Sequence, residues 1–112
     1  KSVINKSGTK VYIIQNIDRK RPLEDIARAK TMTMDEVLTE IENIVDSGTR
    51  VNLDYYLNAV MDEDKQDEIF EFFQDDAETG TIEEAMEELA DEDYSEDEIR
   101  LMRIKFMSIT AN

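Results

Sequence analysis

The stretch Thr33–Gly48, TMDEVLTEIENIVDSG, decides the fold. Met34, Val37, Leu38, Ile41, Ile44 and Val45 recur at the three- and four-residue intervals that put side chains on one face of an α-helix. Asp35, Glu36, Glu40, Glu42 and Asp46 occupy the opposite side. Thr33 followed three residues later by Glu36 reads as a capping box, in which each side chain satisfies an otherwise orphaned amide at the helix start. Gly48 supplies the residue that can turn left-handed where the helix stops. A helix fixed at both ends, with one wholly apolar face, requires other elements to cover that face.

The flanking sequence offers helices on both sides. Pro22 suits a first helical position, where its missing N–H costs nothing, and Leu23, Ile26 and Ala27 give a short apolar face behind it. From Leu23 to Val45 the spacing is that of two helices joined by a tight turn, with the small Ala27 at their approach. Met32 is expected to plug the turn, and Val37 and Ile41 to seat the second helix on the first. Val11, Ile14 and Ile17, flanked by Ile13, predict another short helix beginning near Thr9. Downstream, Leu53, Tyr56, Leu57 and Val60 predict a helix over 54–60. Ile69, Phe70, Phe72 and Phe73 end a helix that starts in the acidic run at Asp62. Beyond Gly80, Thr81 and Glu84 read as a second capping box ahead of Ile82, Ala85, Met86 and Leu89. Ser95 and Glu98 read as a third, before a helix with Ile99, Met102, Phe106 and Ile109 on one face and Leu101 and Ile104 beside it. The expectation is an all-α, compact multi-helix domain of about seven helices. A single domain spans 1–112, with a helix-turn-helix portion at about 9–47 and a helical extension at about 53–110.

Composition agrees with this. The chain has 112 residues, of which 40% are hydrophobic, with three glycines and one proline. That length suits one core, and so few turn residues argue against a sandwich or barrel. Cysteine and histidine are both absent, which removes disulfides, thiol nucleophiles, Cys/His zinc sites and imidazole acid–base chemistry. A cysteine-free chain fits a reducing compartment, and the expectation is cytoplasmic. No apolar run approaches the ~20 residues of a membrane span, so no membrane partner is expected. The start at Lys1 reads as the interior of a longer protein.

Acidic clusters invite a search for metal. Asp91, Asp93, Ser95 and Asp97 match the first four liganding positions of an EF-hand loop, but Glu96 stands where its glycine is needed and Met102 where its bidentate carboxylate belongs. Starting from Asp62 fails similarly, with Asp67 and Phe73 in those places. Carboxylate pairs such as Glu87/Glu88 and Asp75/Asp76 are adjacent on helices, so they do not face each other. The segment Ser7-Gly8-Thr9-Lys10 lacks the first glycine and the spacing of a phosphate loop. The expectation is therefore no catalytic residue, no metal site and no cofactor in this fragment.

Charge gives the remaining signal. The formal net charge is −15, yet residues 1–30 hold eight Lys/Arg against three Asp/Glu, a net of +5. A recognition helix profits from cationic or amide side chains toward DNA, whereas the outer side of 34–46 is acidic and repels phosphates. Any DNA contact is therefore expected through Lys10, Arg19, Lys20, Arg21, Arg28 and Lys30. The bland alternative is a solvated basic end of an acidic domain.

The stretch from Ser7 to Phe106 resembles the helix-turn-helix domain at the far C-terminus of some bacterial RecQ-type ATP-dependent DNA helicases. The residues that carry the resemblance are Pro22-Leu23-Glu24-Asp25-Ile26-Ala27, then Val37-Leu38 and Ile41, Ser47-Gly48, Val51-Asn52-Leu53-Asp54, and Ser95 through Arg100. Where the family pattern often has Thr and His on the second helix, this chain has Glu36 and Glu40. The resemblance implies a non-catalytic accessory piece in DNA repair and recombination. It would meet single-stranded or forked DNA and the rest of the parent helicase, whose ATP-binding and zinc modules would lie upstream. The alternative is an acidic protein-interaction or regulatory module that docks a basic protein partner without touching DNA.

Overall fold

In the computed structural model, residues 6–110 are described, with side chains from Gly8 onward. Seven α-helices follow one another with no strand among the described residues: α1 (Lys6–Asp18), α2 (Leu23–Lys30), α3 (Met34–Asp46), α4 (Asp54–Val60), α5 (Glu63–Glu71), α6 (Ile82–Glu88) and α7 (Glu96–Thr110). The all-α expectation holds. One hydrophobic core runs through the whole set, from Ile13 and Ile17 through Leu23, Ile26, Val37, Leu38, Ile41, Leu57 and Ile69 to Ile99, Met102 and Ile104.

α3 is the centre of the fold, packed on α1, α2 and α7. Its capping box is complete: the Glu36 amide donates to Thr33 Oγ1 at 3.1 Å and the Thr33 amide to Glu36 Oε1 at 2.8 Å. Gly48, at φ 97°, closes the other end. The Thr49 amide reaches back to the Ile44 carbonyl and the Gly48 amide to that of Val45, a Schellman motif. α1 and α2 stop in the same way without glycine. Lys20 (φ 61°) and Thr31 (φ 54°) hold the left-handed position, and Arg21 and Met32 donate to the carbonyls of Asn16 and Ala27.

Several sequence expectations are corrected. α1 begins at Lys6, three residues before Thr9, and the turn at 7–10 is helical. Its buried side carries Thr9, Ile13, Asn16 and Ile17, while Val11 is 51% exposed. The apolar face is rotated because polar Asn16 is accommodated inside, its Nδ2 donating to the Tyr12 carbonyl at 2.8 Å. Pro22 is the N-cap of α2 rather than its first residue. Val60 and Ile109, predicted inward, are exposed, Ile109 at 55%.

In the second half, Thr81 caps α6, but Glu84 does not return to Thr81. Its carboxylate instead gathers the amides of Glu78, Thr79 and Gly80 and the Thr79 hydroxyl. The Glu78 amide, with those of its neighbours, holds this carboxyl below the usual range despite some desolvation. The Ser95–Glu98 box is complete. α5 continues into one π-helical turn, Phe72–Asp76, which lets the adjacent Phe72 and Phe73 both enter the core.

Candidate nucleic-acid interface

The six basic residues singled out by sequence all lie on the α1–α2 hairpin. Arg19, Lys20 and Arg21 form the turn and are exposed. The hairpin folds back so that Lys30, at the end of α2, stands 4.6 Å from the centre of the Tyr12 ring on α1. That geometry suits a cation–π contact, and Lys10 lies one half-turn before Tyr12. Arg28, between the two ends, is paired with Asp25 at 2.8 Å, both largely exposed. The hairpin therefore has a basic tip, a compensated middle and a basic open end. Of the eight cations in residues 1–30, Lys1 lies outside the described residues.

Two tyrosines on α4 fasten the tip. The Tyr55 hydroxyl donates to the Arg21 carbonyl, and the Tyr56 hydroxyl to the Glu24 carboxylate. Burial, followed by the nearby negative charge of Glu24, pushes the Tyr55 phenol up to about 12. Burial and the Glu24 bond raise Tyr56 also. Tyr56 is buried and Tyr55 half-buried, and their hydroxyls additionally position the turn that carries Arg19–Arg21.

α3 meets its surroundings on three sides. One is the core. A second carries Asp35, Thr39 and Glu42, spaced four and three residues apart. Arg100 from α7 lies across it, only 6% exposed, with its guanidinium donating to Asp35 Oδ1 at 2.6 Å, Thr39 Oγ1 at 3.1 Å and Glu42 at 2.9 and 3.0 Å. The Glu42 carboxylate, with Asp35, raises the Arg100 pKa in spite of burial. The third side, with Glu36, Glu40, Asn43 and Ser47, is what remains for an external partner. Two carboxylates head it, so α3 offers neither the charge nor the free perimeter of a helix that inserts into a DNA groove.

By sequence Arg100 is only a residue in the first turns of the last helix. The signal available was a cation inside the stripe Ile99-Arg100-Leu101-Met102. Position alone did not reveal which carboxylates it meets, because Asp35 and Glu42 are about sixty residues away. Among the described residues no group of carboxylates is arranged to hold a metal ion, and no described helix is long and apolar enough to cross a membrane.

These features define a class: an all-helical domain whose N-terminal portion is a helix-turn-helix unit, α2–turn–α3, buttressed by α1 and α4. Residues 7–57 match the family model described as RecQ-1-like, helix-turn-helix domain, so this segment, a little under half of the chain, is similar to RecQ-type helix-turn-helix domains. The match ends at Leu57, within α4. A comparison with curated proteins returned no match.

Proposed function

We propose that this chain is a non-catalytic C-terminal accessory domain of a RecQ-like ATP-dependent DNA helicase, cytoplasmic, that assists DNA binding in repair and recombination. The observation that carries the reading is the RecQ-1-like match over 7–57. The basic tip of the α1–α2 hairpin supports DNA as the ligand. The acidic perimeter of α3 argues for backbone contact by that tip rather than base reading. Arg19, Lys20 and Arg21 lead that contact from the tip, with Lys10, Arg28 and Lys30 assigned to it farther along the hairpin, and the motor, with its nucleotide and zinc chemistry, belongs to the parent protein.

Charge reversal of Arg19, Lys20 and Arg21 together should abolish binding to single-stranded or forked DNA while leaving the helical circular dichroism intact. Parent binding should have a shallow salt dependence, since only about 3–5 phosphates can be neutralised. A triple variant that binds as well as the parent refutes this assignment.

A second reading has its own support. Residues 62–98 hold nineteen Asp/Glu and one Lys, a net of −18. Such a surface fits a regulatory module that docks a basic protein partner, and that reading gains if the parent chain binds no DNA at any salt concentration.

A further inference from the structure

The hollows on this surface differ sharply in charge. The one between α3, the start of α6 and α7 sets Arg103 among Glu42, Asp46 and Glu83. Another, over the π-turn, is rimmed by Glu68, Glu71, Asp76 and Glu88. Both repel a polyanion. Two more, of about 450 and 460 Å³, share Asp18, Asn52 and Asp54 and so meet beside the segment that leads into α4. Together they bring Lys20, Arg50 and Lys105 against Asp18 and Asp54. In a domain of net charge −15, a joined hollow that gathers three cations beside two carboxylates is, with the hairpin tip, a place where an anionic chain can lie.

It also has an aromatic wall. Tyr55 lines the hollow on the Lys20 side, its ring fixed by the hydroxyl's bond to the Arg21 carbonyl and by an edge-on contact with Tyr56 at 6.4 Å. A cationic groove with a fixed aromatic face is the arrangement that binds single-stranded nucleic acid, in which cations follow the phosphates and a base stacks on the ring. A duplex cannot stack a paired base on Tyr55, and an approach through α3 would meet Glu36 and Glu40.

We infer that this double hollow is a single-strand nucleic-acid track, with phosphates held by Lys20, Arg50 and Lys105 and one base laid against Tyr55. The inference rests on the DNA-directed reading above. It narrows that DNA to the single strand and brings in three residues, Arg50, Tyr55 and Lys105, from outside the basic hairpin. Asp54, held by Lys105 at 3.1 Å, competes with the phosphate for that cation.

The test is fluorescence anisotropy of the 112-residue chain with a labelled oligothymidylate of about 15 nucleotides, a span one small domain can occupy, and with a hairpin duplex, across a salt series. The single strand should bind more tightly, with a logarithmic salt slope of about −2 for three phosphates. R50Q/K105Q should weaken binding about tenfold at low salt and remove about 1.4 of that slope. Tyr55→Leu should weaken binding about tenfold with the slope unchanged, while Tyr55→Phe retains most of it. Asp54→Asn should bind a few-fold more tightly, a gain that damage to the fold cannot mimic.

If R50Q/K105Q and Tyr55→Leu bind as the parent does while the Arg19/Lys20/Arg21 reversal abolishes binding, the track is wrong and the basic-tip reading stands. Preference for the duplex also overturns the track. If the parent binds neither probe at about 20 mM salt, where phosphate contacts are strongest, both readings fall.

Discussion

Cut after Leu57, where the family match ends, the chain yields two pieces of nearly equal length and opposite character. Residues 1–57 hold nine Lys/Arg and nine Asp/Glu, so they carry no net charge. Residues 58–112 hold four against nineteen, which is the entire −15. The helix ends of the first piece are closed locally, by three Schellman turns and one capping box. The second piece also caps its helices locally, at Asp62, Thr81 and Ser95, and adds bonds between elements. Its four cations are Lys65, Arg100, Arg103 and Lys105, and each holds a partner: Glu98, the Asp35/Thr39/Glu42 stripe, the Gly80 carbonyl and Asp54. Ser108 adds a bond from the Val51 amide. The comparison teaches a division of labour. The neutral half makes the helix-turn-helix, and the acidic half places three of its four cations on α7, where Arg100 and Lys105 clasp that unit at α3 and α4.

The largest expected effect comes from breaking the clasp. Arg100→Ala removes a nearly buried guanidinium and leaves Glu42, itself mostly covered, without its partner. Removing one member of a buried charged network costs up to about 3–5 kcal/mol. Asp35 is largely exposed and can return to water, so the loss here should be about 2–3 kcal/mol. Arg100→Lys keeps the charge but not the fork that meets two oxygens of Glu42, and should cost about half as much. Urea denaturation measures both. A loss below about 0.5 kcal/mol for the alanine variant, typical of an exposed pair, means that the halves are joined by apolar packing alone.

Next come the three Schellman turns, which share a geometry and differ in residue. At Gly48 an added Cβ would meet nothing within 4 Å, so Gly48→Ala probes backbone preference alone and should cost about 1 kcal/mol. At Thr31 a β-branched residue already occupies the left-handed position, and Thr31→Gly should stabilise by up to about 1 kcal/mol, less the entropy that glycine returns to the unfolded chain. Thermal melts of the pair should therefore move in opposite directions. Thr31→Gly melting lower than the parent would mean that the threonine side chain makes a stabilising contact that outweighs its strain.

Those turns also mark how far the sequence could be read. The α3 caps were legible because Thr33, Glu36 and Gly48 are the residue types the geometry favours. The ends of α1 and α2 were not, since Lys20 and Thr31 carry no such signature and are held left-handed by the packing of the helices they join. The face of α1 was misjudged for a related reason. Apolar spacing pointed to Val11, whereas Asn16 turns inward once it can bond to the Tyr12 carbonyl. Local periodicity does report α3, α4 and α7, and the basic residues of the hairpin could be named in advance. Arg50 and Lys105, which share a hollow, could not be joined to Lys20, because their meeting depends on how α7 lies against the 50–54 segment.

A smaller effect belongs to the seam between the helix-turn-helix unit and its buttress, where α4 bonds to α2 and to the turn before it. Tyr56→Phe removes one hydrogen bond to Glu24 and should cost about 0.5–1.5 kcal/mol. The seam is also sensitive to alkali. Tyr55 ionises at about 12 when folded and at about 10 when unfolded. Its contribution is therefore complete below pH 10 and lost as the pH rises through 12, with Tyr56 displaced in the same direction. A phenolate absorbance titration should show a delayed transition for these two rings and for Tyr94, whose phenol is raised by burial and its bond to Glu68, and Tyr56→Phe should remove one of the three. Normal titration of Tyr55 and Tyr56 in the parent would place their hydroxyls in water and detach the basic tip from α4.

The smallest effect tests the charge division itself. Nineteen carboxylates and one lysine between residues 62 and 98 repel one another in the folded state more than in the expanded chain. Raising ionic strength from about 0.01 to 0.15 M shortens the screening length from ~30 to ~8 Å. That should stabilise the domain by a few tenths of a kcal/mol or more, and the melting temperature should rise. Arg100 opposes this trend little, because nearly buried pairs are screened far less than exposed ones. Glu87→Gln with Glu88→Gln should flatten the salt dependence, whereas Glu40→Gln, in the half without net charge, should leave it as it was. If salt instead lowers the melting temperature, attraction across the α7 clasp outweighs repulsion within the acidic half, and the −15 is balanced at short range rather than borne as strain.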